Sequence, residues 1–465
     1  MSTSTTPPPL SPDSSLVPPD TPRHHRDSTA NQYDLKFDES DSTFTSLADD
    51  MGPFFLGPIP AQAFLESFMP PPSAGARQFV TGMFEPFIKK LPEHEYKWYN
   101  VFVSSDSCRP PHVHLFLCLI LPFQIDTINP HLKNLVVIKT SHASGQPSNS
   151  RFSLDLQPDC SVYTTDYVKP ETPSFDFNHV DFIIEFKKKP DDPFVDDPSE
   201  TSSNRNPFLC PEGPTRKVLG QLTAYATAIL SAQYRTHLFM VFIVGEYARL
   251  IRWDRGGAVV TKPIRFNEEP HLFDFLMRYD IASHEDRGHD STVSVPSKVE
   301  IEQAKSIVSE WDKTEALLTV TVPHKDTERR FIIPRPDALP FVPVRRWTRS
   351  SIAYDIQTKQ RVYLKDSWRV LMEGIEPEGV IYRRFHENGV PNIPPCLSAG
   401  DIGDVTHHQT RTHDKVTDIQ GPHSYWNLTP HRHYRIVLGV VGRKLEKFTS
   451  SREFVKAMHA ALKGA

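Results

Sequence analysis

At 465 residues the chain has room for about three domains of roughly 150 residues each. With 38% hydrophobic and 23% charged residues, it is neither a mini-scaffold nor disordered throughout. Its 43 prolines against 20 glycines, with no three-residue period, exclude collagen and call for loop-rich or unfolded stretches. Lys+Arg 52 against Asp+Glu 57 leaves a net charge of −5, which argues against nucleic-acid binding by bulk charge and leaves local patches open. The five cysteines (Cys108, Cys118, Cys160, Cys210, Cys396) form no CxxC pair, so a reducing compartment fits better than a disulfide framework. The N-terminus lacks an apolar signal core, and the longest apolar run is broken by His114 and Pro122. The expectation is a soluble, intracellular protein, cytoplasmic or nuclear, with no membrane partner.

Residues 1–50 are rich in Ser, Thr, Pro and Asp, bury too little apolar surface to offset the entropy of ordering, and read as a disordered tail. Residues 51–285 read as an α+β domain. Phe64, Leu65 and Phe68, then Phe79, Met83, Phe84, Phe87 and Ile88, recur at helical spacing. Runs at 99–103, 113–121, 135–139, 161–165 and 182–186 read as strands. A polar, Pro-rich loop at 187–216 leads to a helix at 218–232, strands at 238–245, 248–253 and 258–264, and a helix at 271–282. Residues 286–335 read as a linker with a short helix and strand. Residues 336–465 read as a second unit, with a hairpin at 351–354 and 361–366, a helix at 374–387, a strand at 434–441 and a helix at 450–462.

The densest candidate site lies on the strand Asp181-Phe-Ile-Ile-Glu185-Phe-Lys187. Alternation puts Asp181, Ile183, Glu185 and Lys187 on one face and Phe182, Ile184 and Phe186 on the other, so the apolar face enters a core and Glu185 and Lys187 are left side by side. A hairpin back to Pro158-Asp159 would bring Asp159 beside Glu185, with Asp181 as its competitor. Two carboxylates and an ammonium can hold a hard dication such as Mg2+, with Asp159 and Glu185 as ligands, while the lysine orients water for attack on phosphate. Gln221 and Tyr225, one helical turn apart, can point at the same place. The order PD…ExK…QxxxY resembles the PD-(D/E)XK nuclease superfamily. That resemblance implies a mixed sheet flanked by helices, Asp159, Glu185, Lys187, Gln221 and Tyr225 in the catalytic group, and Glu85 as an additional acid.

The second constellation is Tyr363-Leu-Lys365-Asp-Ser-Trp368-Arg followed by a helix opening at Glu378: a strand lysine and a helix glutamate, the pairing that positions nucleotide phosphates in kinases. The runs KDSWR, EGVIYRRFHENGVPNIP, HRHYRIVLGVVGRKLEKFTSSREFVKAMHAAL and GQLTAYATAILSAQYRTHLFMVFIVGEYARLIRWDRGGAVVTKPI resemble the fungal-type protein kinase family over roughly residues 155–465. The resemblance implies a partial protein-kinase N-lobe after the first domain, ATP as cofactor, Ser/Thr phosphotransfer to a protein substrate, Lys365 on the nucleotide phosphates and Glu378 as its partner, with Glu376 as a fallback. Two departures stand out. The segment expected to cover the phosphates, 348–354, has no glycine to let backbone amides approach them. The HRDxxxxN and DFG motifs that should follow the last helix do not appear before Ala465, and His431-Arg-His433 lacks the required aspartate. The chain as it stands is therefore expected to bind nucleotide weakly or not at all and to transfer no phosphate. A metal-dependent nuclease acting on nucleic acid and a non-catalytic scaffold are the alternatives. His407, His408, His413, His431 and His433 show no metal-ligand spacing and read as part of a solvated Pro/Thr-rich loop.

Overall fold

The computed structural model describes residues 40–71, 81, 128–141, 156–167, 175–196, 206–210, 212–312, 314–335, 342–419, 428–443 and 445–464. Within them the chain builds a mixed α+β structure around two sheets. The elements of the first sheet are α1 (Ser40–Met51), β1 (Phe55–Ile59), α2 (Ala61–Phe68), β2 (Leu135–Lys139), β3 (Cys160–Thr164), β4 (Phe182–Lys187), α3 (Pro214–Ala232), β5 (Leu238–Val244), β6 (Tyr247–Asp254), β7 (Gly257–Thr261), β8 (Ile264–Arg265) and α4 (His271–Ile281). The expected strands at 99–103 and 113–121, the helical run at 79–88, and Glu85 lie outside the described residues.

The first sheet has eight strands in the order β1-β7-β6-β5-β4-β3-β2, with β8 on β6. Strands β2, β3 and β4 form an antiparallel meander; α3 then carries the chain back so that β5 pairs parallel with β4. A parallel return needs such a crossover, and the helix that makes it must bury its apolar face on the sheet. The alternating side chains divide accordingly. Phe182, Ile184 and Phe186 pack with Phe64, Phe68, Phe275 and Leu276 from α2 and α4. Ile183, Tyr163 and Phe242 pack with Leu47 and Met51 of α1 and Leu222, Tyr225 and Ile229 of α3. Both faces are thus covered. Helix α1 corrects the reading of 1–50 as tail throughout: Leu47, Ala48 and Met51 are buried against the rest of the domain.

The second sheet uses β9 (Val293–Ser294), β10 (Leu317–His324), β11 (Thr327–Pro334), β12 (Arg349–Asp355), β13 (Gln360–Val370), β14 (Cys396–Asp401) and β15 (His431–Leu438). The accompanying helices are α5 (Lys298–Ile307), α6 (Glu378–Glu387), α7 (Val405–His408) and α8 (Ser451–Gly464). Its strand order is β14-β15-β13-β12-β11-β10-β9. Residues read as linker therefore supply three strands, and the hairpin of β10 and β11 joins the sheet through the pairs Phe331↔Asp355 and Ile332↔Tyr354. Helix α5 starts at a capping box in which Ser297 and Glu300 satisfy each other's backbone N–H groups. No helix among the described residues is long and apolar enough to cross a membrane.

Candidate functional site

Antiparallel pairing of β3 with β4 sets Cys160 opposite Ile184, so Asp159, one residue before the strand, arrives beside Glu185. The Asp159 N–H donates to Glu185 Oε2 at 3.4 Å, and the Phe186 N–H donates to Asp159 Oδ2 at 2.8 Å. Lys187 Nζ donates to Glu185 Oε1 at 2.5 Å and to the Phe186 carbonyl at 3.1 Å. Glu185 is 1% exposed and Asp159 6%, so both carboxylates sit in low-dielectric surroundings where a neighbouring cation counts for more than in water. Residues 159, 185 and 187 are therefore brought together. Gln221 Nε2 donates to Tyr225 Oη at 2.9 Å, and Tyr225 packs in the same cluster as Ile183, so the Gln221 and Tyr225 face of α3 lies on the side of the sheet that bears Glu185 and Lys187.

Sequence reading overlooked a second cation here. Lys139 ends β2 directly opposite Cys160. Burial pulls its ammonium below the ordinary lysine range, against the opposing pull of Cys160 and the Asp159 carboxylate. Burial first, and the Asp159 charge next, push the Cys160 thiol well up, which disfavours its thiolate. Asp181 belongs elsewhere: at the other end of β4 it accepts from Tyr279 Oη at 3.3 Å, meets His289 Nε2 at 3.2 Å and lies 3.6 Å from Arg235. Burial raises its pKa, but the His289 hydrogen bond and the Arg235 charge hold it below the usual carboxylate range.

On the second sheet, Lys365 Nζ donates to both oxygens of Glu378, at 2.7 and 2.8 Å, with the lysine side chain 27% and the glutamate 23% exposed. Helix α6 can lie this close because its second residue is Gly379. A Cβ there would sit 2.5 Å from the Ala399 side chain and 2.6 Å from Tyr434 Oη, which instead accepts the Gly379 N–H at 2.8 Å. Glu378 thus stands in the first turn, where the helix dipole favours an anion. Glu376 instead pairs with Arg384 at 2.6 Å.

The segment expected to cover the phosphates, 348–354, lies almost wholly in the regular strand β12, with Ser350 opposite Lys365. The irregular stretch precedes it, and there Arg345 (φ 76°) and Trp347 (φ 42°) take left-handed conformations without being glycine. What holds them is the first sheet. The Arg345 N–H donates to the Arg255 carbonyl at 2.8 Å, and the Arg255 guanidinium lies 4.1 Å from the Trp347 ring centroid and 5.9 Å from that of Trp368. Val344, Trp347 and Trp368 join the apolar cluster of Leu230 and Trp253.

The histidines correct a further expectation: His408, His431 and His433 are buried rather than solvated, because 431 and 433 face inward from β15 and α7 tucks 408 beneath it. One His-Arg-Asp triplet does occur, at residues 25–27, but three residues rather than four separate its aspartate from Asn31. The fungal protein kinase family matches residues 210–465, a stretch that takes in the Lys365–Glu378 pair and the second sheet but starts after Asp159, Glu185 and Lys187. No curated protein and no solved structure matches the chain.

Proposed function

Since the chain belongs to the fungal protein kinase family, we propose that its second sheet and α6 form the nucleotide-binding half of a protein kinase, and that this polypeptide by itself binds nucleotide without transferring phosphate. The observation that carries the reading is the two-point hold of Glu378 on Lys365. An ammonium fixed by both carboxylate oxygens yet partly exposed can neutralise phosphate oxygens without reorganising. The residues fit ATP at that point. They offer no glycine-lined backbone above it, since the preceding segment is fastened to Arg255. ATP supplies the phosphoryl group; the role of Lys365 is to hold its negative charge and that of Glu378 is to keep Lys365 aimed. The 465 residues contain no DFG triplet, which is the basis for proposing no transfer by this polypeptide alone. The test is a melting shift with Mg2+ and ATP on the chain and on Lys365→Met. A rise seen only in the parent supports the reading, and γ-phosphate incorporation abolished by Lys365→Met would overturn the absence of transfer.

A second reading rests on a separate observation, the convergence of Asp159, Glu185 and Lys187 under α3. In it the first sheet is a PD-(D/E)XK-like nuclease domain: the β2–β3–β4 meander, the α3 crossover and parallel β5 support it. Two buried carboxylates suit a hard dication, which would polarise a phosphate and its attacking water. Lys187 would then orient that water, and Gln221 and Tyr225 would line the approach. Manganese-dependent cleavage of DNA that disappears in Lys187→Ala supports this reading, and equal behaviour of the two proteins removes it. If neither activity nor nucleotide binding is found, the chain is a scaffold. An intracellular setting is supported by Cys160, Cys210 and Cys396, which carry no disulfide among the described residues.

A further inference from the structure

Beneath β15, on the face opposite Lys365, lies a cluster of charges drawn from three distant parts of the chain: Asp290 before β9, His408 at the end of α7, and His433 within β15. All three are buried, and they offer ligand atoms within 4.8 Å of one another. His408 Nδ1 faces His433 Nδ1 at 3.0 Å across nearly parallel rings. His433 Nε2 meets Asp366 Oδ1 at 2.9 Å. His408 Nε2 lies 3.8 Å from Asp290 Oδ1, and His433 Nδ1 lies 3.9 Å from Asp290 Oδ2.

Counting protons exposes the difficulty. Asp366 is paired with Arg435 at 2.6 Å and accepts only, so His433 carries a proton on Nε2 and, as a neutral imidazole, presents a lone pair at Nδ1. A neutral His408 then has two choices. With its proton on Nε2, two lone pairs face each other at 3.0 Å. With its proton on Nδ1, the Nε2 lone pair faces the Asp290 carboxylate. A cation relieves both arrangements. With both imidazoles neutral, the cluster holds two carboxylates, Asp290 and Asp366, against one guanidinium, Arg435, which leaves it one positive charge short of neutrality.

We propose that Asp290, His408 and His433 bind a divalent transition metal of the zinc type. Two nitrogens each about 2.0–2.1 Å from a tetrahedral ion sit roughly 3.3 Å apart, close to the distance found here. Imidazoles select Zn2+ over Mg2+ or Ca2+. The surroundings are those of a metal centre: Asp366 fixes the His433 ring, and Thr292 (through its N–H at 2.9 Å and its hydroxyl at 2.5 Å) and Arg435 (at 2.8 Å) orient the Asp290 carboxylate. Gly403, at φ +56°, makes room for the His408 ring, since a Cβ there would lie 2.2 Å from its Cδ2. The ion would staple the segment leaving the first sheet to the β15 strand of the second.

The experiment uses the full chain without a polyhistidine tag, stripped of metal and titrated with Zn2+, and with Co2+ for its visible ligand-field bands. One equivalent bound, with a raised melting temperature and cobalt bands of nitrogen and oxygen ligation, is the expected result. His408→Asn and His433→Asn should each lower zinc affinity at least about 100-fold, and Asp366→Asn, acting through His433, about 10- to 100-fold. His407→Ala and His386→Ala should bind like the parent. No stoichiometric uptake by the parent overturns the proposal without appeal to any variant, as does uptake that survives His408→Asn or is lost in His386→Ala.

Discussion

Two lysine–glutamate pairs among the described residues are built in opposite ways. Glu185 and Lys187 sit two residues apart on β4, under a helix, with the glutamate fully buried. Lys365 and Glu378 come from a strand and the helix after it and remain about a quarter exposed. The first pair follows from alternation along one strand. The second needs the angle of α6, which Gly379 sets against Tyr434. Their energetics differ as well. A buried pair is destabilised strongly when one partner is removed, whereas a partly exposed pair contributes about 0–1 kcal/mol. Under the proposed function, the two-oxygen hold on Lys365 serves nucleotide phosphates rather than stability.

The comparison can be broken by urea denaturation of five samples. The largest effect is expected for Arg435→Met, which strands Asp290 and Asp366 in the interior of the second sheet and should cost about 4–5 kcal/mol. Glu185→Ala should follow at about 3 kcal/mol, since Lys187 loses its carboxylate at a buried site; a loss below about 1 kcal/mol would make the two pairs alike. The third sample is the parent at lower pH. Burial drives His237 well below the ordinary imidazole range and His289 down to about 4, with Arg235 pushing the same way at His289. The unfolded chain therefore takes up protons near pH 6.5 that the folded one refuses, so stability falls as pH drops from 7 toward 5, by about 1–2 kcal/mol per imidazole. His289→Gln should flatten that slope. The smallest change belongs to Glu378→Ala: under about 1 kcal/mol in stability, accompanied by a loss of the ATP-induced melting shift. A large destabilisation there would mean that the pair is structural.

How far the sequence could be read follows the same division. Strand β4 was legible because seven residues carry both the alternation and the chemistry, but the choice of Asp159 over Asp181 beside Glu185 stayed open until the β3–β4 register placed it. Helix α1 was hidden because Phe44, Leu47, Ala48 and Met51, at helical spacing, fall at the end of a segment whose overall composition is that of a tail. The β10–β11 hairpin was missed because Glu328, Arg329 and Arg330 give its outer half the look of a linker. Lys139 was a missed neighbour: nothing local marks it, and only the β2–β3 register puts it near Asp159. The histidine cluster was illegible for a stronger reason. Its members stand at 290, 408 and 433, and no spacing rule spans loops of that length.

Arg255 has a practical meaning for anyone who cuts this protein apart. Its guanidinium caps Trp347 and approaches Trp368, so a fragment beginning at β9 would surface with the Trp347 indole stripped of this cover and Trp368 left with its stack on His433. Such a fragment would tend to cling to itself or to other apolar material. Transplanting the lysine-bearing sheet into another host therefore means carrying the arginine and the strand beneath it along.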